Sequence, residues 1–155
     1  KSFKDEYLIK NKDNEFFQKY NEKDLLIIGS LIEKEGLGEL DKLKISSVIS
    51  NRLEKKMKLQ IDATVIYAIT NGEYKSNRKL NYKDLKINSI YNTYKYKGLP
   101  PKPISYVGSK TIDLIFEDYN TDFLFYFFDN SLNKHVFSKS YEQHKSKLNE
   151  YRNKK

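Results

Sequence analysis

The sequence predicts an α+β domain: helices packed around one central buried helix, with a small antiparallel β-hairpin near the C-terminus. Three observations predict it. Leu25, Leu26, Ile27, Ile28, Leu31 and Ile32 make the longest aliphatic stretch in a chain whose mean hydropathy is −0.78. Ile45, Val48, Ile49 and Leu53 then recur at helical spacing. Late in the chain, an unbroken apolar and aromatic run at residues 123–128 is followed by turn residues and an alternating segment.

Taken in order, residues 1–20 are polar with scattered Phe3, Tyr7, Leu8, Phe16 and Phe17, and read as a linker or the remnant of a preceding domain with a short helix over 14–20. Residues 21–155 are the domain proper. Asn21 and Asp24 are spaced like a weak capping box before the aliphatic helix, and Gly36 and Gly38 stop it near Glu35. A second helix covers 39–57 with Lys42, Lys44, Glu54 and Lys55 outward. Residues 59–61 are an extended bridge. Asp62 caps a helix over 63–70 that Asn71-Gly72 closes. A polar loop runs over 71–78, and residues 81–84 suggest a helical turn. Gly98-Leu99-Pro100-Pro101-Lys102-Pro103 holds all 3 prolines, which makes it stiff. Residues 110–116 read as a helix and 123–128 as a buried strand. Asp129, Asn130, Ser131 and Asn133 turn the chain into a strand over 135–139, with His135 and Phe137 on one face. Ser140 and Gln143 form a capping box for a last helix.

With 155 residues the chain can build one domain with its own core. Zero cysteines exclude disulfides and thiol catalysis, and 2 histidines without cysteine argue against a structural metal site. No apolar run approaches the roughly 20 residues that span a bilayer. The chain begins at Lys1 and not Met, so a longer parent protein is expected, and an anchor can lie upstream. The net charge of +8 comes almost entirely from scattered lysines. It reads as a solvated basic surface, since no nucleic-acid-binding motif accompanies it.

The candidate chemistry starts at the end of the aliphatic helix. At about 100° per residue Glu33 and Glu35 point apart, so one cleft uses only one of them directly. Glu33 continues the face of Leu26, Gly29 and Ser30; Glu35 continues that of Ile28, Leu31 and Ile32. Gly29, one turn before Glu33, leaves open space beside that carboxylate, and periodicity leans to Glu33 as the functional acid. The ordinary alternative is that both mark where the helix meets water. Arg52 flanks the apolar stripe of the second helix, where it can pair with a glutamate of the first. Asn51 precedes it.

In order along the chain, these segments resemble one family. Ser30-Leu31-Ile32-Glu33-Lys34-Glu35 is similar to the S-I-V-E-K-E signature of the MltG/YceG-like endolytic murein transglycosylases. Val48-Ile49-Ser50-Asn51-Arg52-Leu53 resembles their V-F-x-N-R-L helix, and the segment from Met57 to Tyr67 resembles M-x-L-Q-x-D-P-T-V-x-Y. Tyr91-Asn92-Thr93-Tyr94 with Gly98-Leu99-Pro100-Pro101 and Pro103-Ile104 resembles Y-N-T-Y…G-L-P-P-x-P-I; His135, Phe137 and His144 match a closing H-x-F…H pattern. The likeness covers about residues 24–151. Gly29 stands where alanine is usual, Ala63 replaces a proline, and Tyr106-Val107 replaces Asn-Pro.

The resemblance implies a catalytic domain over 21–155 that needs no metal or cofactor. Its parent would be anchored through an N-terminal segment absent from this chain and would act at the outer face of the bacterial cytoplasmic membrane. The implied reaction cuts the β-1,4 bond between N-acetylmuramic acid and N-acetylglucosamine in nascent peptidoglycan, leaving 1,6-anhydro ends. Peptidoglycan strands are the partner, peptidoglycan synthases are candidate partners, and nucleic acid is not one. Carried over, Glu33 is the acid and then the base, and its setting after Ile32 should raise its pKa. Gln60, Asp62, Thr64, Asn92 and Tyr94 are candidates to bind sugar. Glu35, Asn51, Arg52, His135 and His144 are candidates to orient the site, Glu35 through a pair with Arg52. Asp62 is either a helix cap or a second carboxylate. A non-catalytic glycan-binding module of cell-wall synthesis is the alternative from another class, and a basic nucleic-acid-binding domain a more distant one.

Overall fold

The computed structural model describes residues 5, 9–75 and 79–154. Phe3, Tyr7 and Leu8 and the last part of the expected polar loop, residues 76–78, lie outside them. The element order is α1 (Glu15–Lys19), α2 (Glu22–Glu35), α3 (Glu39–Glu54), α4 (Asp62–Thr70), a short 3-10 turn (Asp84–Lys86), α5 (Ser109–Ile115), β1 (Phe125–Asp129), β2 (Lys134–Ser138) and α6 (Tyr141–Asn153). The expected α+β architecture is the observed one.

Helix α2 is the hub, packing on α3, α4 and α5. Asn21 Oδ1 accepts from the Asp24 N–H at 2.9 Å, and Gly36 ends the helix. Leu25 and the whole stretch Ile27–Ile32 are buried, and Leu25, Ile28, Leu31 and Ile32 form one core with Ile45, Val48, Ile49, Leu59, Ile61 and Ile104. Ser30 in mid-helix spends its hydroxyl inside the fold, donating to Ile27 O at 2.7 Å and accepting from the Ile104 N–H at 3.0 Å. The proline-rich segment is thereby stitched to α2 as it leaves Pro103. Helix α1 joins the same core: Phe17 stacks on Phe116 at 5.3 Å, and Asn14, its N-cap, donates to Phe116 O at 3.1 Å.

The two strands pair antiparallel with Tyr126 opposite Phe137 and Phe128 opposite His135. Tyr126, Phe128, His135 and Phe137 therefore share one face, and their rings touch. Phe125 and Phe127 lie on the other face under α6, with the His144 ring 5.3 Å and 5.8 Å from theirs. Ser140 caps α6 by accepting from the Gln143 N–H at 3.2 Å.

Four local expectations change. The second helix ends at Glu54, because Lys56 takes a left-handed φ of 53° and turns the chain. The bridge at 59–61 is not simply extended: Gln60 has φ 54°. Ile61, not Asp62, is the N-cap of α4; Asp62 is the first helical residue, and its carboxylate goes elsewhere. The strand begins at Phe125, and Phe125–Phe128 are half-buried, since a two-stranded sheet has only one helix to cover its second face.

The space expected beside Gly29 is filled. A Cβ at Gly29 would lie 2.7 Å from Val107 Cγ1, so the Val107 side chain occupies the position where a ligand was expected.

Candidate active site

The two glutamates leaving α2 enter opposite environments. Glu33 turns toward α3 and α5. Its Oε1 accepts the Gly108 N–H at 3.0 Å and the Thr111 hydroxyl; its Oε2 meets Lys42 Nζ at 3.0 Å, and Lys42 also donates to Thr111 Oγ1 at 2.8 Å. Partial burial pushes the Glu33 carboxyl upward, but the Thr111 and Lys42 donors and the Gly108 N–H outweigh it and hold the group below the usual carboxylate range. The expectation of a protonated Glu33 in an apolar setting is not met. Lys42, Thr111 and Gly108 form no recognisable motif, and only their three-dimensional proximity reveals the knot.

Glu35 turns toward the hairpin and the start of α4. Its Oε2 accepts the Tyr126 hydroxyl at 2.8 Å, and the Ala63 N–H of the first turn of α4 also reaches the carboxyl group. Burial raises its pKa, and the like charge of Asp62 raises it further; the Tyr126 hydroxyl, His135 and the Ala63 N–H work the other way and do not cancel the rise. Glu35 is half-buried as a residue, and Asp62, whose charge acts on it, is exposed. Of the two glutamates, Glu35 has the setting a general acid needs. Tyr126 was invisible to sequence reasoning. In an aromatic run it looks like one more core ring.

The turn after Glu35 is fixed by Asp41, whose Oδ2 accepts the Leu37 N–H at 3.0 Å and lies 2.8 Å from His135 Nδ1. That contact anchors β2 to α3 and gives His135 an orienting position beside Tyr126. Asp62 Oδ1 accepts the Tyr94 hydroxyl at 2.5 Å. Burial and then the charges of Asp62 and Glu35 push the Tyr94 phenol far up, so it stays a donor.

The expected pair between Arg52 and Glu35 is absent, because Arg52 is committed to carbonyls. Its Nε donates to Leu124 O at 2.6 Å, and its Nη1 donates to Lys58 O at 2.9 Å and Leu59 O at 3.0 Å and lies 3.4 Å from Gln60 Oε1. Asn51 Nδ2 donates to Thr121 O at 2.7 Å and Phe123 O at 2.9 Å. Together these neighbours tie the approach to β1 and the loop bearing Gln60 to α3. They fix where Tyr126 and Gln60 sit.

Among the sugar-binding candidates the structure brings Asp62 and Tyr94 to Glu35, and Gln60 to Arg52 nearby. It places the other two beneath the surface. Thr64 is 0 % exposed; its hydroxyl donates to Ile61 O at 2.7 Å and lies 2.9 Å from Thr93 Oγ1. Asn92 is also 0 % exposed, donating to Leu85 O and Ile87 O and accepting from the Tyr94 N–H. Both hold loops in place and present nothing to a ligand. Thr93, quoted in the sequence only as part of the Tyr91–Tyr94 segment and given no role there, accepts the Ile61 N–H at 2.9 Å and aligns the start of α4. His144 lies on the opposite face of β1 from Tyr126, where burial and the nearby Arg52 and Arg152 depress its pKa; it packs as a neutral ring. Among the described residues no cluster of three or more His, Cys, Asp or Glu could hold a metal.

The fold and this helix end define a class: an α+β domain carrying a buried carboxyl with an upward-shifted pKa beside a second carboxylate, an arrangement of the kind acid–base sites use. The comparisons narrow this. The sequence model of the YceG-like family matches residues 1–150, and the chain belongs to that family. It is 43% identical over 127 residues to an endolytic murein transglycosylase of Bacillus subtilis, covering 82% of this chain and 34% of that protein. A protein of the same description from Streptococcus pneumoniae is 33% identical over 135 residues, covering 85% of this chain and 24% of the relative. The crystal structure of a putative YceG-like protein from Listeria monocytogenes superposes with a TM-score of 0.77 at 41% identity, over 90% of this chain and 44% of that one. The chain thus spans about a third or less of the curated relatives' length.

Proposed function

We propose that this chain carries the catalytic site of an endolytic murein transglycosylase and that Glu35, not Glu33, is its acid and base. The observation that supports this most is the contrast at the end of α2. Glu33 is held ionised by Lys42, Thr111 and Gly108, whereas burial and the charge of the exposed Asp62 favour the protonated form of Glu35.

The chemistry follows from one carboxyl group used twice. Protonated Glu35 donates to the glycosidic oxygen as the bond to C1 of N-acetylmuramic acid breaks. Its carboxylate then takes the proton of the C6 hydroxyl of the same sugar while that oxygen bonds to C1. The products are a 1,6-anhydro end and a free 4-hydroxyl. Glu35 regains its proton, no water is consumed, and the internal nucleophile exploits proximity. Asp62, held by Tyr94, offers negative charge to the oxocarbenium-like centre, and Gln60 offers an amide to the N-acetyl groups. The substrate is nascent peptidoglycan outside the cytoplasmic membrane, with the synthases that extrude it as candidate partners. Among the described residues no helix is long and apolar enough to cross a membrane, and this reading assigns anchoring to an upstream segment.

The test is incubation with peptidoglycan and mass spectrometry of the released ends, using wild type, Glu35→Gln and Glu33→Gln. Anhydro ends from wild type and Glu33→Gln but not from Glu35→Gln are expected. Ordinary reducing ends would make the protein a hydrolase with Asp62 as partner. Retained glycan binding with no new ends would make it a binding module.

A further inference from the structure

We propose that Tyr126 is a positioning residue of the site: its hydroxyl pins Oε2 of Glu35, leaving the other carboxyl oxygen to carry the exchanging proton. This rests on the acid–base assignment above and deepens it.

The geometry carries the inference. Tyr126 projects from β1 on the face shared with His135 and Phe137, and its ring meets His135 edge-on at 5.3 Å and lies tilted against Phe137 at 5.7 Å. A ring clamped between strand neighbours cannot follow a moving carboxylate, so the 2.8 Å contact fixes Glu35 and not the reverse. The strand is itself fastened to α3 through Arg52 at Leu124 O and Asn51 at Phe123 O, one and two residues before β1 begins. A rigid line thus runs from α3 through β1 to one oxygen of Glu35.

Each protonation state uses the contact. With Glu35 protonated, Oε2 accepts from Tyr126 and the proton resides on Oε1. When Glu35 has given up that proton, the same hydroxyl donates to a full carboxylate, a stronger bond. Tyr126 thereby limits how far burial raises the Glu35 pKa. The other groups that face Glu35 are Asp62 and the Ala63 N–H from α4, Tyr94 from the loop between the 3-10 turn and α5, and His135 from β2, with Arg52 of α3 acting on Tyr126. The burial of Tyr126 keeps its phenol protonated far above neutral pH, so it remains a donor across the working range.

The experiment is Tyr126→Phe, which removes one oxygen and keeps the ring. Losing a hydrogen bond to a charged group should move the alkaline limb of the rate profile for anhydro-end formation to higher pH by about one unit, with a severalfold fall in kcat and little change in KM. A merely structural ring would leave the profile superimposable on wild type, and that result overturns the proposal. A second measurement needs neither activity nor a folded variant. In protein labelled with 13C at tyrosine Cζ, the Tyr126 resonance should titrate together with the Glu35 carboxyl. A Tyr126 signal indifferent to Glu35 ionisation would also overturn it. Coupled titration without anhydro products would defeat the enzymatic reading and leave the coupling standing. Anhydro products with an unmoved profile would defeat the positioning role alone.

Discussion

Lys42 Nζ lies 3.0 Å from Glu33 Oε2 and also donates to Thr111, which itself donates to Glu33, so the first glutamate of the helix end is the centre of a knot joining α2, α3 and α5. A carboxylate already accepting three donors has little left to offer a substrate. Under the proposed assignment it locks the last turn of the helix from which Glu35 projects.

Glu33→Gln should therefore be a stability mutant. It leaves the Lys42 ammonium half-buried without its counter-charge, and a loss of about 1–3 kcal/mol is expected in denaturant unfolding. Anhydro-end formation below the unfolding temperature should stay within severalfold of wild type. A complete loss of activity in a folded Glu33→Gln protein would return the acid role to Glu33.

Glu35→Gln should do the converse. Removal of a general acid typically costs about 10²–10⁴-fold in rate. The same change replaces a carboxyl group that burial and Asp62 make unwilling to ionise, so stability near neutral pH should hold or rise. The measurements are product formation and thermal midpoint at pH 7, side by side. Wild-type activity in the variant would end the assignment.

The two glutamates also give stability opposite pH dependences. The folded-state pKa of Glu33 is lowered, so its contribution is fully present above the unfolded value and disappears as pH falls through the folded one. The folded-state pKa of Glu35 is raised, so the folded form holds its proton more tightly; that contribution is present below the unfolded value and disappears as pH rises through the folded one. The stability gap between wild type and Glu33→Gln should thus close in acid. Glu35→Gln should gain on wild type as pH rises from about 4 toward neutrality. Unfolding curves collected from pH 3 to 8 that stay parallel for all three proteins would contradict both signs.

Much of this was legible in the sequence because it depends on local pattern. The aliphatic run, the capping residues Asn21 and Ser140 and the Asn71-Gly72 stop each act within a few residues of their effect, and their helices appear where expected. The resemblance directed attention to the end of that helix. What the sequence could not supply was which glutamate meets which neighbours. Periodicity placed Glu33 beside an empty Gly29, but Val107, 78 residues away in the chain, fills that side. Tyr126, 91 residues beyond Glu35, defines the other. Asn92 and Thr64 looked like sugar ligands because they are polar in a shared motif. Their hydroxyl and amide groups instead satisfy loop backbone that would otherwise be buried without partners.

Arg52 tests how the motif around α3 works. Its contacts are four oxygens in a fork that converges from 124 and 58–60, and a lysine has one point charge to spread among them. Arg52→Lys should cost about 2–4 kcal/mol in urea unfolding, since several buried carbonyls lose their donor at about 1 kcal/mol or more each. It should also lower activity through misplacement of Gln60 and β1. A variant as stable as wild type would show that those carbonyls are satisfied by other means.

Gly29 and Val107 provide a test of packing that is independent of the chemistry. In mid-helix, alanine is ordinarily better than glycine by about 1 kcal/mol. Here a Cβ at 29 meets Val107 Cγ1 at 2.7 Å and Ile115 Cδ1 at 3.4 Å, a distance that forces Val107 to move. Overpacking of this kind costs about 1–3 kcal/mol, so Gly29→Ala alone should be neutral or destabilising. In a Val107→Ala background the obstruction is gone and the helix gain should reappear, giving a coupling of about 1–3 kcal/mol in the double-mutant cycle. Both positions depart from the residues usual in the family, alanine at 29 and proline at 107. The structure explains the pair as mutual accommodation: the branched side chain at 107 takes the volume that the missing methyl at 29 releases. Additive effects in the four-protein cycle would break that account, because two positions that merely tolerate change have no reason to depend on each other.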